Sequence, residues 1–199
     1  EARKIVESGQ IGQLTAVQSI FTYFNADPNN VRNKKDIGGG GLLDIGCYCV
    51  VGPRFVTAKE PVRVVSLMDK DPKFGTDRLV SGMLDFGSGL QASFVCGTQS
   101  AAVQRVHILG SEGRIEILMP FNPIPENPAI IRVGGQKQPG FDEAREIKFP
   151  VCNHYTLQGE SATAIFAGES PVDYPIEDAI MNMQILDALA RSAKTGSWE

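Results

Sequence analysis

The feature that most constrains the fold is a succession of short apolar, β-branched segments between residues 61 and 150, separated by turn residues. Residues 86–89 (FGSG) and 110–113 (GSEG) have the length and composition of hairpin turns. Strands joined by such short links pair antiparallel, because a parallel pair needs a long crossover. The pattern predicts strands at 62–68, 78–85, 90–96, 105–109, 114–119, 130–133 and 146–149.

The flanking regions predict one more strand and three helices. Residues 14–25 alternate weakly and are rich in β-branched and aromatic side chains, which is typical of a strand. Helices are predicted at 42–58, at 154–167 and from Pro175 to Gly196. Pro53 is expected to kink the first of these helices or to end its first half, because proline removes a backbone donor.

This order of elements predicts an α+β domain with a large, predominantly antiparallel, open-faced β-sheet and helices packed on one face. Several predicted strands carry apolar residues at adjacent positions, as at Val64 and Val65, whereas a sheet with one wet face alternates cleanly. We therefore expect the second face to be covered, and the predicted helices are too few to cover it. The simplest explanation is that a second copy of the chain covers the open sheet face, in a homodimer or a dimer of dimers.

Charge and composition exclude several classes of partner. The net charge is −4 and the longest basic cluster is the pair Lys34 and Lys35, so neither nucleic acid nor an anionic membrane is an expected partner. No apolar run approaches the ~18 residues that span a bilayer. A chain with 42% hydrophobic and 21% charged residues has the composition of a globular fold.

The cysteines and histidines do not predict a metal site. The four cysteines form no Cys-x-x-Cys pair and there are only two histidines, whereas a structural zinc site needs about four well-placed ligands. Reduced thiols in a cytoplasmic protein are the expected state of the cysteines.

The candidate chemistry lies in residues 38–48, GGGGLLDIGCY. Four glycines in a row suit a place where the backbone approaches something closely, since glycine carries an entropic cost elsewhere. If the following segment is helical, Asp44 and Tyr48 lie one turn apart on the same face, where they could bind and deprotonate a hydroxyl group. Two simpler roles stay open: a half-buried Tyr48 with its hydroxyl satisfied, and an Asp44 that meets free N–H groups at a helix start.

Other residues could complete a binding pocket. Arg32 could hold a substrate hydroxyl or a cofactor phosphate, or form a surface salt bridge. Asn153 and His154 follow the last predicted strand, at a reasonable place for substrate contacts, although a lone histidine there is more often structural. Phe121 could form a wall of the pocket or only pack.

Residues 39–48 resemble the motif of the glucose–fructose oxidoreductase/inositol dehydrogenase/rhizopine catabolism family of NAD(P)-dependent oxidoreductases. The resemblance covers nearly the whole chain. Single pieces are weak, but their order and spacing give a fairly specific signal. The supporting pieces are ESGQIG (7–12), NVR (30–32), LGSEG (109–113), PIEDA (175–179) and SAKTG (192–196).

The resemblance implies a two-domain enzyme in which an N-terminal Rossmann domain binds NAD or NADP. This chain resembles only the second domain: residues 1–12 would be a remnant of the inter-domain link, and 13–199 the C-terminal substrate-binding and dimerisation domain. No Gly-x-Gly-x-x-Gly turn follows a predicted strand, so the missing domain would bind most of the cofactor, with contacts from Gly40 and Gly41. The family's catalytic lysine, in a Glu-Lys-Pro motif, would also lie in the missing domain.

The resemblance further implies hydride transfer between nicotinamide and a hydroxyl of a sugar, polyol or diol, with Asp44 and Tyr48 as catalytic residues. Tyrosine at this position is similar to the glucose–fructose oxidoreductase, xylose dehydrogenase and dihydrodiol dehydrogenase branches. Val51 stands where the family commonly has Asp or Asn, which removes a polar substrate contact. The fragment alone is expected to be inactive.

Two alternatives to an enzyme stay open. The chain could be a non-enzymatic dimerising or ligand-binding homologue, or a scaffold that binds a different protein through its bare sheet face.

Overall fold

The computed structural model describes residues 1–136 and 144–199. In this part of the chain eight strands form one sheet. The strands are β1 (Leu14–Phe24), β2 (Arg63–Lys70), β3 (Asp77–Asp85), β4 (Gln91–Gly97), β5 (Gln99–Gly110), β6 (Gly113–Ile117), β7 (Ile130–Gly135) and β8 (Arg145–Lys148). Their spatial order is β2-β3-β4-β1-β5-β6-β7-β8.

The sheet is antiparallel at every neighbouring pair except β1 and β4, which run parallel. The parallel pair arises because the first strand of the chain is inserted between β4 and β5, two strands that follow each other in sequence. The predicted fold class, a large and predominantly antiparallel open sheet with helices, is confirmed.

Each of the eight predicted strands is found, and their ends agree with the prediction within a few residues except in β5. This strand begins at Gln99 rather than at residue 105, and its added part pairs with the end of β1, where Phe24 lies opposite Gln99. The sequence QSAAVQ (99–104) has little apolar alternation, so only pairing with β1 identifies it as a strand.

The helices are α1 (Ala2–Glu7), α2 (Cys47–Thr57), α3 (His154–Phe166) and α4 (Ile176–Thr195), and a π-helical segment, Leu42–Gly46, leads directly into α2. Of the two effects expected of Pro53, the kink stays a prediction and the end of the helix is wrong, because α2 runs through it without interruption. Burial of the helix explains this: Cys49, Val50 and Val56 on either side of Pro53 are all in the core. Pro175 immediately precedes α4, and Gly196 ends it in the left-handed conformation.

The hydrophobic core lies between one face of the sheet and the helices α2 and α4. Ser66 on β2 ties the sheet to α4, because its amide donates to Ser192 Oγ (3.0 Å) and its hydroxyl donates to the Leu189 carbonyl (2.6 Å). The third helix differs from the others, since no residue of α3 is buried.

The opposite face of the sheet is divided into an apolar half and a charged half. On β2 and β3, Leu67 is 78% exposed and Met83 is 43% exposed. On β5 to β8 a ladder of ion pairs crosses the strands, and it comprises Arg105–Glu116, Arg132–Glu116, Arg132–Glu146 and Lys148–Glu146. None of the helices in the described parts of the chain has the length and hydropathy needed to cross a membrane.

Candidate active site

A cleft of about 560 Å³ opens beside the ends of β1 and β5, under the π-helical segment. This volume lies in the range of small-molecule sites in proteins. The cleft is lined by Phe21, Thr22, Tyr23, Asn25, Arg32, Asp44, Ile45, Tyr48, Ala102, Val103, Gln104, Met119, Asn122 and Tyr155. Of the sequence-predicted site residues, Arg32, Asp44 and Tyr48 therefore lie together.

A carboxylate at the start of β3 helps to position the segment that carries Asp44. Asp77 Oδ2 accepts the backbone N–H of Leu42 (2.6 Å) and so satisfies a free donor at the start of the π-helical segment. Gly40 has φ +132°, and a Cβ atom there would overlap Asp77 Oδ1. A Cβ atom on Gly39 would meet the carbonyl oxygens of Arg32 and Lys34 at 2.6 Å. The close approach predicted for the glycines therefore involves the chain's own groups.

The Asp44 carboxylate is held through both of its oxygens. Oδ2 accepts a hydrogen bond from the Tyr23 hydroxyl (2.5 Å), and Oδ1 accepts one from Arg32 Nε (2.8 Å). The helix-start role suggested by the sequence belongs to Asp77 instead, because no backbone N–H in the described part of the chain bonds to the Asp44 side chain. For Arg32 the sequence left three roles open, and the structure places it in an ion pair with Asp44.

Tyr48 presents an unpartnered phenol to the cleft. Its ring packs edge-on against Phe21, with centroids 5.8 Å apart, and at 5.6 Å from Phe121. Within residues 1–136 and 144–199 no protein group hydrogen-bonds its hydroxyl, and the side chain is 40% exposed. Burial of the ring raises the pKa of the Tyr48 phenol, and the nearby Cys47 raises it further. Tyr48 therefore carries its proton at neutral pH in this chain.

Phe121 supports the cleft from behind. It stacks on Phe21 at 5.2 Å and contacts Tyr48, and it is not among the residues that line the cleft, so its substrate role stays a prediction. Gln104 Oε1 accepts the backbone N–H groups of Phe121 (3.2 Å) and Asn122 (2.9 Å), which fixes the loop against β5.

The residues predicted at the start of α3 lie outside the cleft. The Asn153 side chain accepts the backbone N–H groups of Tyr155 and Thr156, so it caps the helix. His154 Nδ1 is buried and has no hydrogen-bond partner in the described residues. The next residue, Tyr155, lines the cleft. A substrate role for Asn153 and His154 stays a prediction, as does cofactor contact by Gly40 and Gly41, which do not line the cleft either.

Tyr23, which bonds directly to Asp44, is not predicted as a site residue from the sequence. The alternation in β1 places Phe21 and Tyr23 on one face, but the residues that this face contacts are known only once the helical segment is docked.

Val51 lines a different and smaller cleft with Arg54 and Phe55, so its apolar side chain removes no group from the Asp44 cleft. The described residues contain no cluster of His, Cys, Asp and Glu that could hold a metal ion.

Comparison with known proteins gives a consistent picture. The sequence profile of the GFO/IDH/MocA C-terminal domain matches residues 1–116. An uncharacterized oxidoreductase of Rhizobium meliloti is 38% identical over 195 residues, which cover 98% of this chain and 58% of that protein. The NADP(+)-dependent D-xylose 1-dehydrogenase 2 of Haloferax volcanii is 28% identical over 201 residues, with the same coverage of 98% and 58%. The chain thus spans a little over half the length of these relatives.

Solved structures of other proteins share the fold. A 3-ketoreductase from Actinomadura kijaniata, in complex with NADP and TDP-benzene, superposes with a TM-score of 0.85 at 21% identity, covering 96% of this chain and 57% of the other. The aldose–aldose oxidoreductase of Caulobacter crescentus, complexed with glycerol, has a TM-score of 0.81 at 23% identity, covering 100% and 59%.

Proposed function

The chain belongs to the GFO/IDH/MocA C-terminal domain family, and from that premise we propose that it is the substrate-binding part of an NAD(P)-dependent oxidoreductase. The reaction is hydride transfer between nicotinamide and a carbon that carries a hydroxyl or carbonyl group on a sugar, polyol or diol. The observation that carries the proposal is the unpartnered Tyr48 phenol in a cleft beside the doubly held Asp44 carboxylate.

The chemistry divides between the cofactor and this chain. The nicotinamide cofactor supplies or accepts the hydride. In the direction of reduction, Tyr48 donates its proton to the carbonyl oxygen as that oxygen gains negative charge, and Asp44 accepts a hydrogen bond from a neighbouring substrate hydroxyl. In the direction of oxidation, the hydroxyl proton moves to the Tyr48 phenolate as the carbonyl forms.

The raised pKa of Tyr48 favours the role of proton donor. A phenol has an ordinary pKa of ~10, and a nearby cation is needed to lower it. Arg32 lowers the pKa of Tyr48, but burial of the ring outweighs this effect. We assign the required cation to a lysine in the part of the relatives that this chain does not cover, as the family resemblance implies. The isolated 199-residue chain is therefore expected to be inactive.

The cofactor is NAD or NADP, and the phosphorylated form is favoured by the NADP(+)-dependent xylose dehydrogenase and by the 3-ketoreductase that was solved with NADP. The chain has no Gly-x-Gly-x-x-Gly turn after a strand. We therefore assign the dinucleotide site to the part of the relatives that this chain does not cover. Gly40 and Gly41 are the proposed points of contact with the cofactor from this chain.

We also propose that the protein is cytoplasmic, because its four unpaired cysteines fit a reducing compartment.

The substrate is proposed to be uncharged. Arg32 is the one cationic residue that lines the cleft in the described part of the chain, and its Nε is committed to Asp44. The charges of this pair cancel, so a phosphate or carboxylate group on a substrate would meet no net positive charge from the described residues that line the cleft. Hydroxyl groups, by contrast, find acceptors in Asp44 and amides in Asn25 and Asn122.

Replacement of Tyr48 by Phe in the full-length protein tests the proposal. We expect turnover of neutral sugars or diols, followed through the nicotinamide absorbance, to fall roughly 10²–10⁴-fold because a positioned acid/base is lost. Tyr174→Phe, at an exposed tyrosine away from the cleft, is the matched control. Unchanged turnover in Tyr48→Phe would remove the phenol from the mechanism, and sugar binding without turnover in the wild type would support the non-enzymatic alternative.

The free sheet face is proposed to bind a second copy of the chain. Its exposed Leu67 and Met83 would be covered in a two-fold pair, and the Arg–Glu ladder beside them supplies both charge signs for a self-complementary contact. Light scattering of the full-length protein should give a dimer or a dimer of dimers. Leu67→Glu combined with Met83→Glu should weaken it, whereas Val172→Glu at another exposed position should not. A monomeric wild type would contradict the interface.

A further inference from the structure

Three tyrosines line the cleft, and the hydroxyl groups of two of them, Tyr23 and Tyr48, are in different states. The Tyr48 hydroxyl has no partner in the described residues, whereas the Tyr23 hydroxyl donates to Asp44 Oδ2 over 2.5 Å. A hydrogen bond to an ionised carboxylate is about twice as strong as one between neutral groups. The proposed reaction gives a task to Tyr48 and Asp44 and leaves Tyr23 without one.

The geometry of β1 explains how one strand reaches both catalytic candidates. Phe21 and Tyr23 are two residues apart and therefore share one face of β1. The π-helical segment and the start of α2 bring Asp44 and Tyr48 to that face. The Phe21 ring packs against the Tyr48 ring, and the Tyr23 hydroxyl meets the Asp44 carboxylate.

A second element holds the other carboxylate oxygen. Arg32 donates from Nε to Asp44 Oδ1 over 2.8 Å, and the backbone of Arg32 is itself fixed by the Asn30 side chain, which accepts its N–H at 3.0 Å. A carboxylate has about four acceptor positions, so these two bonds leave about two for a ligand. Bonds from two separate elements fix the rotation of the carboxylate and the direction of its free acceptor positions.

We propose that Tyr23, supported by Arg32, is a positioning residue that aims the Asp44 carboxylate at the substrate, an inference that rests on the function proposed for the cleft. Tyr23 itself exchanges no proton with the substrate. Its burial, together with its bond to Asp44, raises the pKa of its phenol, because ionisation would place a second negative charge beside the carboxylate. The two tyrosines thus divide the work: Tyr23 holds the carboxylate and Tyr48 transfers the proton.

A double-mutant cycle on the full-length protein tests this division. Tyr23→Phe keeps the ring and removes the hydroxyl, and we expect kcat/KM to fall roughly 10- to 100-fold because Asp44 is no longer aimed. In the Asp44→Ala background the same Tyr23→Phe change should have less than about a twofold effect, since the residue through which it acts is gone. Tyr48→Phe should retain most of its effect in that background, because it acts on the substrate directly.

Tyr174→Phe, measured in both backgrounds, is the matched control for loss of a tyrosine hydroxyl and should change kcat/KM less than about twofold. Thermal midpoints of all variants show whether a loss of activity comes from unfolding. An equal effect of Tyr23→Phe with and without Asp44 would overturn the positioning role.

A measurement without turnover separates this inference from the proposed function. The difference in tyrosinate absorbance between each protein and its Tyr23→Phe partner isolates the titration of Tyr23. In the Asp44→Ala background this phenol should ionise at lower pH, because both its acceptor and the neighbouring negative charge are lost. If the wild type turns over no substrate, the proposed function fails and the titration alone decides. A titration that does not move on Asp44→Ala overturns the inference.

Discussion

Two charged clusters lie on the same helical run, one at Asp44 in the π-helical segment and one at Arg54 in α2. Arg54 is buried, with 3% of its side chain exposed, and it binds Glu60 through Nε and Nη2 (both 2.7 Å) and Asp178 through Nη2 (2.8 Å). Its remaining nitrogen, Nη1, donates to Asn182 Oδ1. All of its guanidinium nitrogens are therefore used within the protein.

The Asp44 cluster is organised differently. Two donors hold its carboxylate, but acceptor positions remain free and the phenol one turn away has no partner in the described residues. Polar groups that are fully satisfied rigidify a fold, and unsatisfied groups at a cleft are available to a ligand. The difference indicates that the Arg54 end of the helix joins α2 to α4, whereas the Asp44 end leaves polar groups free for a ligand, as the proposed function requires.

Arg54→Leu should give the largest effect on stability, and it tests directly whether the Arg54 cluster joins α2 to α4. It leaves Glu60 and Asp178 without their cation and frees the contact between α2 and α4. We expect the free energy of unfolding, measured by urea denaturation, to fall by about 3 kcal/mol. Activity per folded molecule should change little. A loss below about 1 kcal/mol would mean that the cluster does not hold the helices together.

Replacement of Gly40 should affect the site as well as the fold. A Cβ atom there would displace the Asp77 carboxylate that binds the Leu42 N–H, so the start of the segment carrying Asp44 would shift. Gly40→Ala should cost about 2 kcal/mol and also lower activity. Gly38→Ala is the matched control, since Gly38 has φ +84° with no atom near the Cβ position. It should cost about 1 kcal/mol from backbone strain and leave activity unchanged.

The residue between the clusters, Cys49, gives a smaller and pH-dependent effect. Burial raises the pKa of its thiol to about 12, from an ordinary value of 9.0. The folded state therefore keeps the proton that the unfolded state loses, so this contribution to stability is complete below pH 9.0 and is lost as the pH rises toward 12. We expect up to about 1 kcal/mol per pH unit above 9.0.

Urea denaturation of the wild type and of Cys49→Ala along a pH series measures this contribution. The wild type should lose stability more steeply at alkaline pH, because Cys49→Ala has no thiol to ionise on unfolding. Parallel pH profiles would show that water reaches the thiol and that the space between the two clusters is not sealed.

The sequence predicts local features of this molecule well. The strands from β2 to β8 and the limits of α4 follow from apolar patterning, hairpin turns and a terminal glycine, all of which act over a few residues. The spacing of Asp44 and Tyr48 likewise depends only on local helical structure. The parallel pairing of β1 with β4 could not be predicted, because it joins segments about 75 residues apart and nothing in either strand specifies its partner.

The residues that hold Asp44 in place likewise depend on long-range contacts, which local sequence does not predict. Tyr23 is 21 residues from Asp44 in sequence, and their contact depends on the register of β1 and on the docking of the helical segment. The sequence predicts Arg32 as a site residue because it precedes the glycines, but its ion pair with Asp44 depends on the folded loop. Long-range geometry, rather than residue type, distinguishes a residue that holds the carboxylate from one that meets the substrate.

The central location of β1 ties the site to the most persistent part of the molecule. This strand has a paired neighbour along both of its sides, whereas β2 and β8 form the two margins of the sheet. Fraying begins at margins, and the amide hydrogens of a doubly flanked strand exchange only through openings that approach global unfolding. The backbone that carries Tyr23 should therefore be among the last to open on heating, so the geometry of the cleft should survive softening at either margin.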